Sequence, residues 1–125
     1  MIILLFIFAG CGLGGLARYG IFYSIHGLLG HSFPYGTLLA NVSGSLLMGF
    51  LFVIIVNHLA HIAPPLRAFL LIGFLGGYTS FSSFSIETLT LIEKDQLMLA
   101  LYNIALNVFL CLSATWMGFM IGRKF

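Results

Sequence analysis

Charge is the property that this sequence has least of. Of its 125 residues, five are Lys or Arg and three are Asp or Glu, so only 6% are charged. A soluble domain usually carries about 25% charged residues, and a surface this poor in charge must face lipid or protein. The net charge of +2 is small, and there is no basic patch or stripe, which argues against a nucleic-acid-binding protein.

The sequence also lacks the motifs of enzymes. It has no pairing of nucleophile and base, no Walker motif and no dinucleotide fingerprint, and its glycine-rich GCGLGG follows no strand. We therefore expect no enzymatic activity. Its only two cysteines, Cys11 and Cys111, lie in apolar surroundings and are expected to be buried and free, acting as small apolar residues. No basic leading region of a signal peptide is present, so the N-terminus is expected to be the first membrane span.

Hydrophobic residues make up 61% of the chain and form long runs. A membrane-spanning helix needs about 20 residues, and polar or proline-containing stretches divide the runs into four. The predicted spans are Ile2 to Tyr23, Gly36 to Val56, Leu66 to Ile92 and Leu97 to Ile121. The predicted fold is therefore an all-α membrane protein with a single four-helix domain, residues 1–125, because lipid-facing irregular backbone is excluded.

The segments between the spans have distinct compositions. HGLLGHSFPYG contains glycines, histidines and Pro34, and is expected to separate the first two spans. NHLAHIAPP ends the second span, and its two prolines are expected to open the third helix. EKDQ at Glu93 to Gln96 is the only cluster of charges, and we expect it to be a water-exposed turn.

Basic residues are distributed almost evenly about the membrane. With four spans, Arg67, Arg123 and Lys124 lie on one side, and Lys94 lies on the other, joined by Arg18 if that residue reaches it. This is a weak bias under the positive-inside rule. Such a chain is able to insert in both orientations, and two copies could then pair antiparallel. A single orientation fixed by the C-terminal basic pair stays open as the alternative.

The most unusual stretch is GGYTSFSSFSIE, Gly76 to Glu87, which places six hydroxyl side chains inside a long apolar run. A straight helix can bond such hydroxyls back to its own carbonyls. The adjacent glycines instead favour an interruption of the third helix near its middle, between Gly76 and Ser80. Broken membrane helices expose carbonyls and amides that hold ions, and they are tolerated beside protein or a water-filled cavity.

Several polar and aromatic residues near this break are candidates for an ion pathway. Phe81 and Phe84 are three residues apart on one helix face, and an aromatic ring has a positive edge that can favour a small anion. Ser82, Ser83 and Ser85 supply hydroxyl donors beside the rings. Glu87 is a functional candidate because carboxylates are rare at membrane depth.

Asparagines in the second and fourth spans could extend the same polar path. Asn41 can donate two hydrogen bonds to an anion, or it can bond to a neighbouring helix. Asn103 and Asn107 are four residues apart and share a face, and Cys111 continues their row. These side chains are expected to face protein or water rather than lipid.

The four histidines are interpreted as structural or interfacial. His26 and His31 lie in the first polar segment, and only His58 and His61 have a plausible helical spacing. No cysteine or carboxylate lies nearby in the sequence, so a metal site is not favoured.

Three blocks of the sequence resemble the signature motifs of the Fluc (CrcB) fluoride channels. They are GGLARY at Gly14 to Tyr19, GTLLANVSGSLLMG at Gly36 to Gly49, and GFLGGYTSFSSFSIE at Gly73 to Glu87. The resemblance implies a multi-pass channel of the cell (inner) membrane that exports fluoride passively and lowers its toxicity. It also implies an antiparallel, dual-topology homodimer in the lipid membrane, with two pores and a structural sodium ion at its centre.

The same resemblance implies roles for individual residues. Asn41, Phe81, Phe84, Ser82 and Ser83 match the fluoride pathway, and Glu87 and Arg18 match the acidic residue and the arginine of their blocks. Asn103 and Asn107 occupy the remaining track by spacing. The sodium ion would be held by the backbone carbonyls of Gly76 and Thr79 from both subunits.

The sequence departs from the family pattern at several positions. Tyr78 replaces an aliphatic residue or phenylalanine, Ser80 and Ser83 replace threonines, and Asn103, Asn107 and Cys111 stand where tyrosine and serine are common.

Two other functions remain as alternatives. A small dual-topology multidrug exporter would need a carboxylate in its first span, which is missing here, and a non-transporting tetraspan scaffold leaves the polar break unexplained.

Overall fold

The computed structural model describes the backbone of all 125 residues and the side chains of all of them except Ile62 and Ala63. Over this described backbone the chain is helical. Its elements are α1 (Ile2–Leu29), α2 (Tyr35–His58), a 3₁₀ turn (Ala60–Ile62), α3 (Ala63–Arg67), a π-type segment (Ala68–Leu75), α4 (Gly76–Tyr78), α5 (Phe81–Glu93) and α6 (Leu97–Arg123). Elements from α3 to α5 form one span, Pro64–Glu93, so four helical rods are long and apolar enough to cross a membrane.

The four predicted spans are confirmed, but their ends differ from the predicted ones. The first helix does not end at Tyr23; it continues to Leu29, and only then does Gly30 reverse the chain with a φ of 83°. The predicted separating segment is therefore helical over its first part, because its apolar residues propagate α1 until glycine offers a left-handed conformation. The EKDQ turn is confirmed, with Asp95 at a φ of 59°.

The third span is broken, as predicted, but over a shorter stretch than Gly76 to Ser80. Gly76 has ordinary right-handed helical dihedral angles, and α4 continues to Tyr78. Only Thr79 and Ser80 are extended, with φ and ψ of −85° and 157° and of −150° and 108°. The preceding π-type turns of Ala68–Leu75 were not predicted. Such wider turns are rare in proteins, and those that occur are often found at functional sites.

Close helix packing explains most of the glycines. At the crossing of α2 and α6, a Cβ on Gly49 would meet the Thr115 carbonyl, and one on Gly118 would lie 2.8 Å from the Phe50 nitrogen. At the contact of α1 with the third span, a Cβ on Gly77 would lie 2.6 Å from the Cys11 carbonyl. Small residues let membrane helices approach this closely. The first contact joins α2 to α6, and the second holds the broken helix against α1.

Much of the remaining surface is apolar and exposed. In α1 the buried residues are Gly10 and Gly14, while bulky side chains such as Leu4, Phe8 and Leu16 are more than half exposed. Both cysteines are free, as predicted, but the prediction that they are buried is wrong: Cys11 is exposed and Cys111 is partly exposed. An apolar surface on this scale faces lipid or another protein chain rather than water. The fold is therefore that of a multi-pass membrane protein.

Candidate functional site

The break in the third span is stabilised at the beginning of α5. Ser80 is the N-cap residue of α5, and its Oγ accepts a hydrogen bond of 3.0 Å from the Ser83 backbone N–H. Its extended backbone angles are typical of an N-cap, and the hydroxyl satisfies one of the free N–H groups at the helix start. The sequence SFSS therefore starts a new helix at Phe81 rather than continuing the previous one.

Asn41 of α2 pairs with the extended backbone at the break. Its Oδ1 accepts from the Ser80 N–H at 2.8 Å, and its Nδ2 donates to the Ser80 carbonyl at 3.3 Å. The carboxamide thus occupies both polar groups of one residue, as a neighbouring strand would. Both residues are buried, where unpaired backbone groups are expensive, so Asn41 supplies the partner that makes the break tolerable.

The carbonyls of Gly76 and Thr79 are among those that lose their helical donors at this break. In a continuous helix the Ser80 N–H would bond to the Gly76 carbonyl, and the Ser83 N–H would bond to the Thr79 carbonyl. Both N–H groups bond instead to side chains, of Asn41 and Ser80 respectively. The carbonyls of Gly76 and Thr79 therefore lack helical donors, and they are the two that the family resemblance implies as cation ligands.

Arg18 supplies one such partner. Its Nη1 donates to the Thr79 carbonyl at 3.4 Å, and the residue is half-buried in the middle of α1. The bond is at the long limit for N–H···O geometry. The guanidinium thus lies against the broken helix, and Arg18 does not reach the loop that contains Lys94.

A continuous chain of side-chain amides leads away from the break. Asn41 Nδ2 donates to Asn107 Oδ1 at 3.0 Å, Asn107 Nδ2 donates to Asn103 Oδ1 at 2.9 Å, and Asn103 Nδ2 donates to Thr88 Oγ1 at 2.8 Å. Thr88 Oγ1 donates in turn to the Phe84 carbonyl at 2.8 Å. All four side chains are buried, and the chain joins α2, α6 and α5 at membrane depth.

A cavity of about 390 Å³ lies beside this amide chain. It is bounded by α2, the break, α5 and α6, and one wall carries polar groups while the others are apolar. The lining residues are Asn41, Gly44, Ser45, Met48, Thr79, Ser80, Phe81, Phe84, Asn107, Val108, Cys111, Leu112 and Thr115.

The two phenylalanines form a pair at the wall of the cavity. Their ring centroids are 5.1 Å apart with an interplanar angle of 65°, so one ring presents its edge to the other. Phe84 is buried, with 8% of its surface exposed, whereas Phe81 is 77% exposed. The structure therefore places both rings at the predicted site, and Phe81 is left open on the surface of the protomer.

The other predicted residues divide into two groups. Asn107 and Cys111 line the cavity together, as their four-residue spacing predicts, and Thr115 continues the row. Asn103 lies further along the amide chain. Ser82 and Ser83 do not line the cavity: Ser82 Oγ bonds to Ser80 Oγ at 3.1 Å, and Ser83 is held through its backbone at the helix cap.

Glu87 lies one turn beyond Phe84 and faces a second, smaller cavity of about 270 Å³. Its Oε1 accepts a hydrogen bond from Thr37 Oγ1 at 2.6 Å, and its Oε2 is buried with no partner among the described residues. This cavity opens between the end of α1 and the α5–α6 turn. Glu87 thus lies outside the larger cavity and away from the break.

Sequence reasoning missed Thr37 and Thr88, which bond to the predicted residues. Thr37 is four residues before Asn41 and so shares its helix face, and Thr88 is four residues after Phe84. A search for polar residues at i and i+4 from the candidates would have found both. From the sequence, Tyr78 is only a departure from the family pattern, and its hydrogen bond was not predicted: its OH lies 2.9 Å from Ser43 Oγ.

Comparisons with known proteins agree on one family. The family model described as "CrcB-like protein, Camphor Resistance (CrcB)" matches residues 5–119. A protein of Coxiella burnetii (strain CbuK_Q154) is 52% identical over 120 residues, which cover 96% of this chain and 97% of that protein. Its name is Fluoride-specific ion channel FluC.

Two further relatives carry the same name. That of Methylococcus capsulatus is 49% identical over 115 residues, which cover 92% of this chain and 50% of the longer relative. That of Shewanella amazonensis is 42% identical over 114 residues, which cover 91% of this chain and 90% of the relative. The similarity thus extends over the whole four-helix unit.

The amide chain gives a first prediction. Asn107→Leu keeps a similar volume but leaves Asn41 Nδ2 and Asn103 Oδ1 each without one partner, and a buried unsatisfied group costs about 1–3 kcal/mol. We expect a clear fall in the thermal unfolding midpoint of the purified protein in detergent. Asn57→Leu, at an exposed position near the end of α2, is the matched control and should change the midpoint little. Equal midpoints for the two variants would contradict a stabilising role for the chain.

Proposed function

The chain belongs to the CrcB family, and from this premise we propose that it is a fluoride-specific channel that passes the ion passively across the membrane. The observation that carries the proposal is the 52% identity over nearly the full length of a protein named as such a channel. Passive export from the cytoplasm across the inner membrane would lower intracellular fluoride and its toxicity. The protein is accordingly a channel and not an enzyme.

The geometry of the larger cavity supports this function. Fluoride is small and strongly hydrated, so a pathway has to replace its water with close donors without binding it too firmly to leave. Asn41 provides amide hydrogens and Phe81 and Phe84 provide ring edges at one wall, and no formal positive charge lines that cavity among the described residues. Such donors can substitute for water without trapping the ion.

The hydrogen-bond lengths indicate where the ion would enter this network. The bond from Asn41 Nδ2 to the Ser80 carbonyl, at 3.3 Å, is the longest that Asn41 makes. An anion next to Phe81 could take this donor while the stronger bond from the Ser80 N–H is kept. In this proposal Asn103 and Asn107 maintain the orientation of Asn41, while Ser82 and Ser83 stand beside the rings.

The alternatives to a channel have no specific support. A multidrug exporter needs a titrating carboxylate in its first span, and α1 contains none. A scaffold has no need for a cavity with a polar wall at membrane depth. The family match disfavours both.

Fluoride flux through purified protein in liposomes tests the function. With a fluoride gradient and a potassium shunt, we expect fluoride efflux at an electrode and much slower chloride efflux in a parallel run. Phe81→Leu and Phe84→Leu each remove a ring edge while keeping apolar bulk, and loss of about 1.4 kcal/mol in the transition state slows flux tenfold. We therefore expect roughly tenfold or greater reductions.

Phe109→Leu is the matched control for these variants, because Phe109 is exposed on α6 and does not line the cavity. Its flux should equal that of the unmodified protein, and size-exclusion chromatography should show all three variants folded. Absence of fluoride efflux, or equal fluoride and chloride fluxes, would overturn the function. Unchanged fluoride flux in both Phe81→Leu and Phe84→Leu would show that the two rings serve only in packing.

The proposed functional unit is an antiparallel homodimer of dual topology. Within one protomer Phe81 is 77% exposed and Gly76 is also exposed, although both belong to the site. A second copy would cover this surface and close the open side of the cavity. The basic residues give only a weak orientation signal, with Arg67, Arg123 and Lys124 against Lys94 once Arg18 is assigned to the break.

Cysteine labelling tests the orientation. In a variant with Cys11 and Cys111 replaced by Ala, Lys94→Cys places a single thiol in the α5–α6 turn. If both orientations are present, an impermeant maleimide added to spheroplasts should label about half of the copies, and all of them after permeabilisation. Labelling of every copy, or of none, before permeabilisation would contradict dual topology.

We further propose a structural sodium ion held by the Gly76 and Thr79 carbonyls of both copies. The support is that both carbonyls lose their helical donors to side chains at the break. Carbonyl oxygens at unwound helix segments are suitable ligands for monovalent cations. The Arg18 guanidinium donates to the Thr79 carbonyl at 3.4 Å, so in this proposal the sodium ion would share that oxygen with Arg18.

Glycine variants separate this role from helix packing. The backbone angles of Gly76 suit any residue, and an added Cβ would meet nothing closer than the Leu71 carbonyl at 3.7 Å within the protomer. Gly76→Val should therefore leave the protomer folded but weaken the dimer and the flux. Gly77→Val is the contrast, since it would displace α1 at Cys11 and lower stability by about 1–3 kcal/mol.

Removal of sodium is the direct test of the ion. Exchange for a bulky organic cation on both membrane faces should slow fluoride flux or raise the monomer fraction, and added sodium should restore both. Flux and dimer fraction that stay unchanged after exhaustive removal would show that no such ion is needed.

A further inference from the structure

The smaller cavity, of about 270 Å³, contains titratable groups that the proposed conduction does not use. It lies between the last turn of α1, the loop at residues 30–34 and the α5–α6 turn. His26 and His31 form one wall, and Glu87 and Lys94 contribute to the others. Glu87 lines this cavity, which in the proposed channel would be the mouth of the pathway.

The two histidines are brought together by the reversal of the chain after α1. Gly30, with a φ of 83°, donates its N–H to the His26 carbonyl at 3.0 Å and turns the next residue back over the helix. Phe22 packs against the His26 ring with centroids 4.2 Å apart. The His31 ring then covers His26, with centroids 4.8 Å apart.

This packing points the same nitrogen of each ring at the other. The two Nδ1 atoms lie 2.8 Å apart. Metal–imidazole bonds are about 2.0–2.1 Å long, so two nitrogens at adjacent positions on one ion lie about 3 Å apart. The observed separation of the two Nδ1 atoms is therefore close to that of two ligands on one ion, and reorientation of the exposed His31 ring would turn both nitrogens towards a shared metal.

Two buried polar atoms at this cavity, one on His26 and one on Glu87, have no hydrogen-bond partner among the described residues. If both Nδ1 atoms bind a metal, the proton of each neutral ring is on Nε2. His26 Nε2 is buried with no hydrogen-bond partner in the described part of the chain, and so is Glu87 Oε2, which lines the same cavity. A metal-bound histidine characteristically donates its other N–H to a carboxylate or to water, and this cavity provides Glu87 for that contact, directly or through one water molecule.

We propose that His26 and His31 bind a divalent transition-metal ion at this mouth. Imidazole nitrogen selects ions such as Ni²⁺, Cu²⁺ and Zn²⁺ over Mg²⁺ and Ca²⁺. No group of three His, Cys, Asp or Glu converges among the described residues, so water completes the coordination. Lys94 opposes the added charge and Glu87 offsets it.

The site has a consequence for conduction, which rests on the proposed function. An ion held by His26 and His31 occupies part of the cavity that leads to Glu87, and its charge holds an anion at the mouth instead of releasing it. Conduction needs binding weak enough for the ion to leave. Occupancy of this site therefore inhibits fluoride flux.

Binding is tested first, without fluoride. Purified dimeric or monomeric full-length protein, freed of any affinity tag, is titrated with NiCl₂ by isothermal calorimetry in detergent. His31→Ala removes an exposed ring, so folding should be kept, and we expect Ni²⁺ affinity to fall by about tenfold or more. The His58→Ala/His61→Ala double variant, which removes two exposed histidines at the far end of α2, is the matched control and should bind like the unmodified protein.

Ni²⁺ added outside fluoride-loaded liposomes tests inhibition. Flux should fall in the unmodified protein and in the His58/His61 control, recover with EDTA, and be insensitive to Ni²⁺ in His31→Ala. Equal Ni²⁺ affinity in His31→Ala and the unmodified protein would overturn the site, and bound Ni²⁺ without a change in flux would overturn its inhibitory role. Metal-free protein that passes no fluoride would instead overturn the channel function, and calorimetry would still decide the site.

Discussion

The architecture depends on one interaction, the pairing of the Asn41 carboxamide with the backbone N–H and carbonyl of Ser80. A break in a membrane helix exposes polar groups that lipid cannot satisfy. Asn41 satisfies two of them, and the Ser80 hydroxyl satisfies a third by capping α5. Because those two donors are diverted, the carbonyls of Gly76 and Thr79 lose their helical partners, and the Thr79 carbonyl bonds to Arg18 instead. The start of α5 places Phe81 and Phe84 at the cavity. The polar site and its aromatic wall are thus results of the same local event.

The amide chain extends this interaction across the bundle. A single buried carboxamide could rotate and lose its hydrogen-bond geometry. Asn41 is held by a hydrogen bond to Asn107, and Asn107 is held by one to Asn103. Asn103 in turn bonds to Thr88 of the broken helix. The loop of contacts starts and ends on the third span, so the orientation of α5 and the amide chain support one another. Fully satisfied networks of this kind fix a unique arrangement in a low-dielectric interior.

One side of the larger cavity is enclosed by the protomer itself, and the other side is open at its surface. Phe84 is buried by α2 and α6, while Phe81 and Gly76 remain exposed beside it. At the mouth, in contrast, His26 and His31 close over one another within a single chain, and Glu87 is held by Thr37. The proposed dimer would thus complete the conducting part, while the residues around the smaller cavity are held by contacts within one copy.

The sequence by itself determined the four spans, the charged turn and the existence of a break, because these follow from local composition: apolar length, prolines, and glycines next to hydroxyl groups. It also indicated that Asn107 and Cys111 share a face, since helical spacing is a local rule. Only the tertiary structure decided which residues are hydrogen-bond partners of the polar side chains. Asn41 and Ser80 are separated by 39 residues, and Arg18 and Thr79 by 61, so their contacts depend on how each helix is rotated and how deep it lies. His26 and His31 are near in sequence, yet their meeting required the extension of α1 to Leu29 and the reversal at Gly30, which apolar periodicity does not reveal.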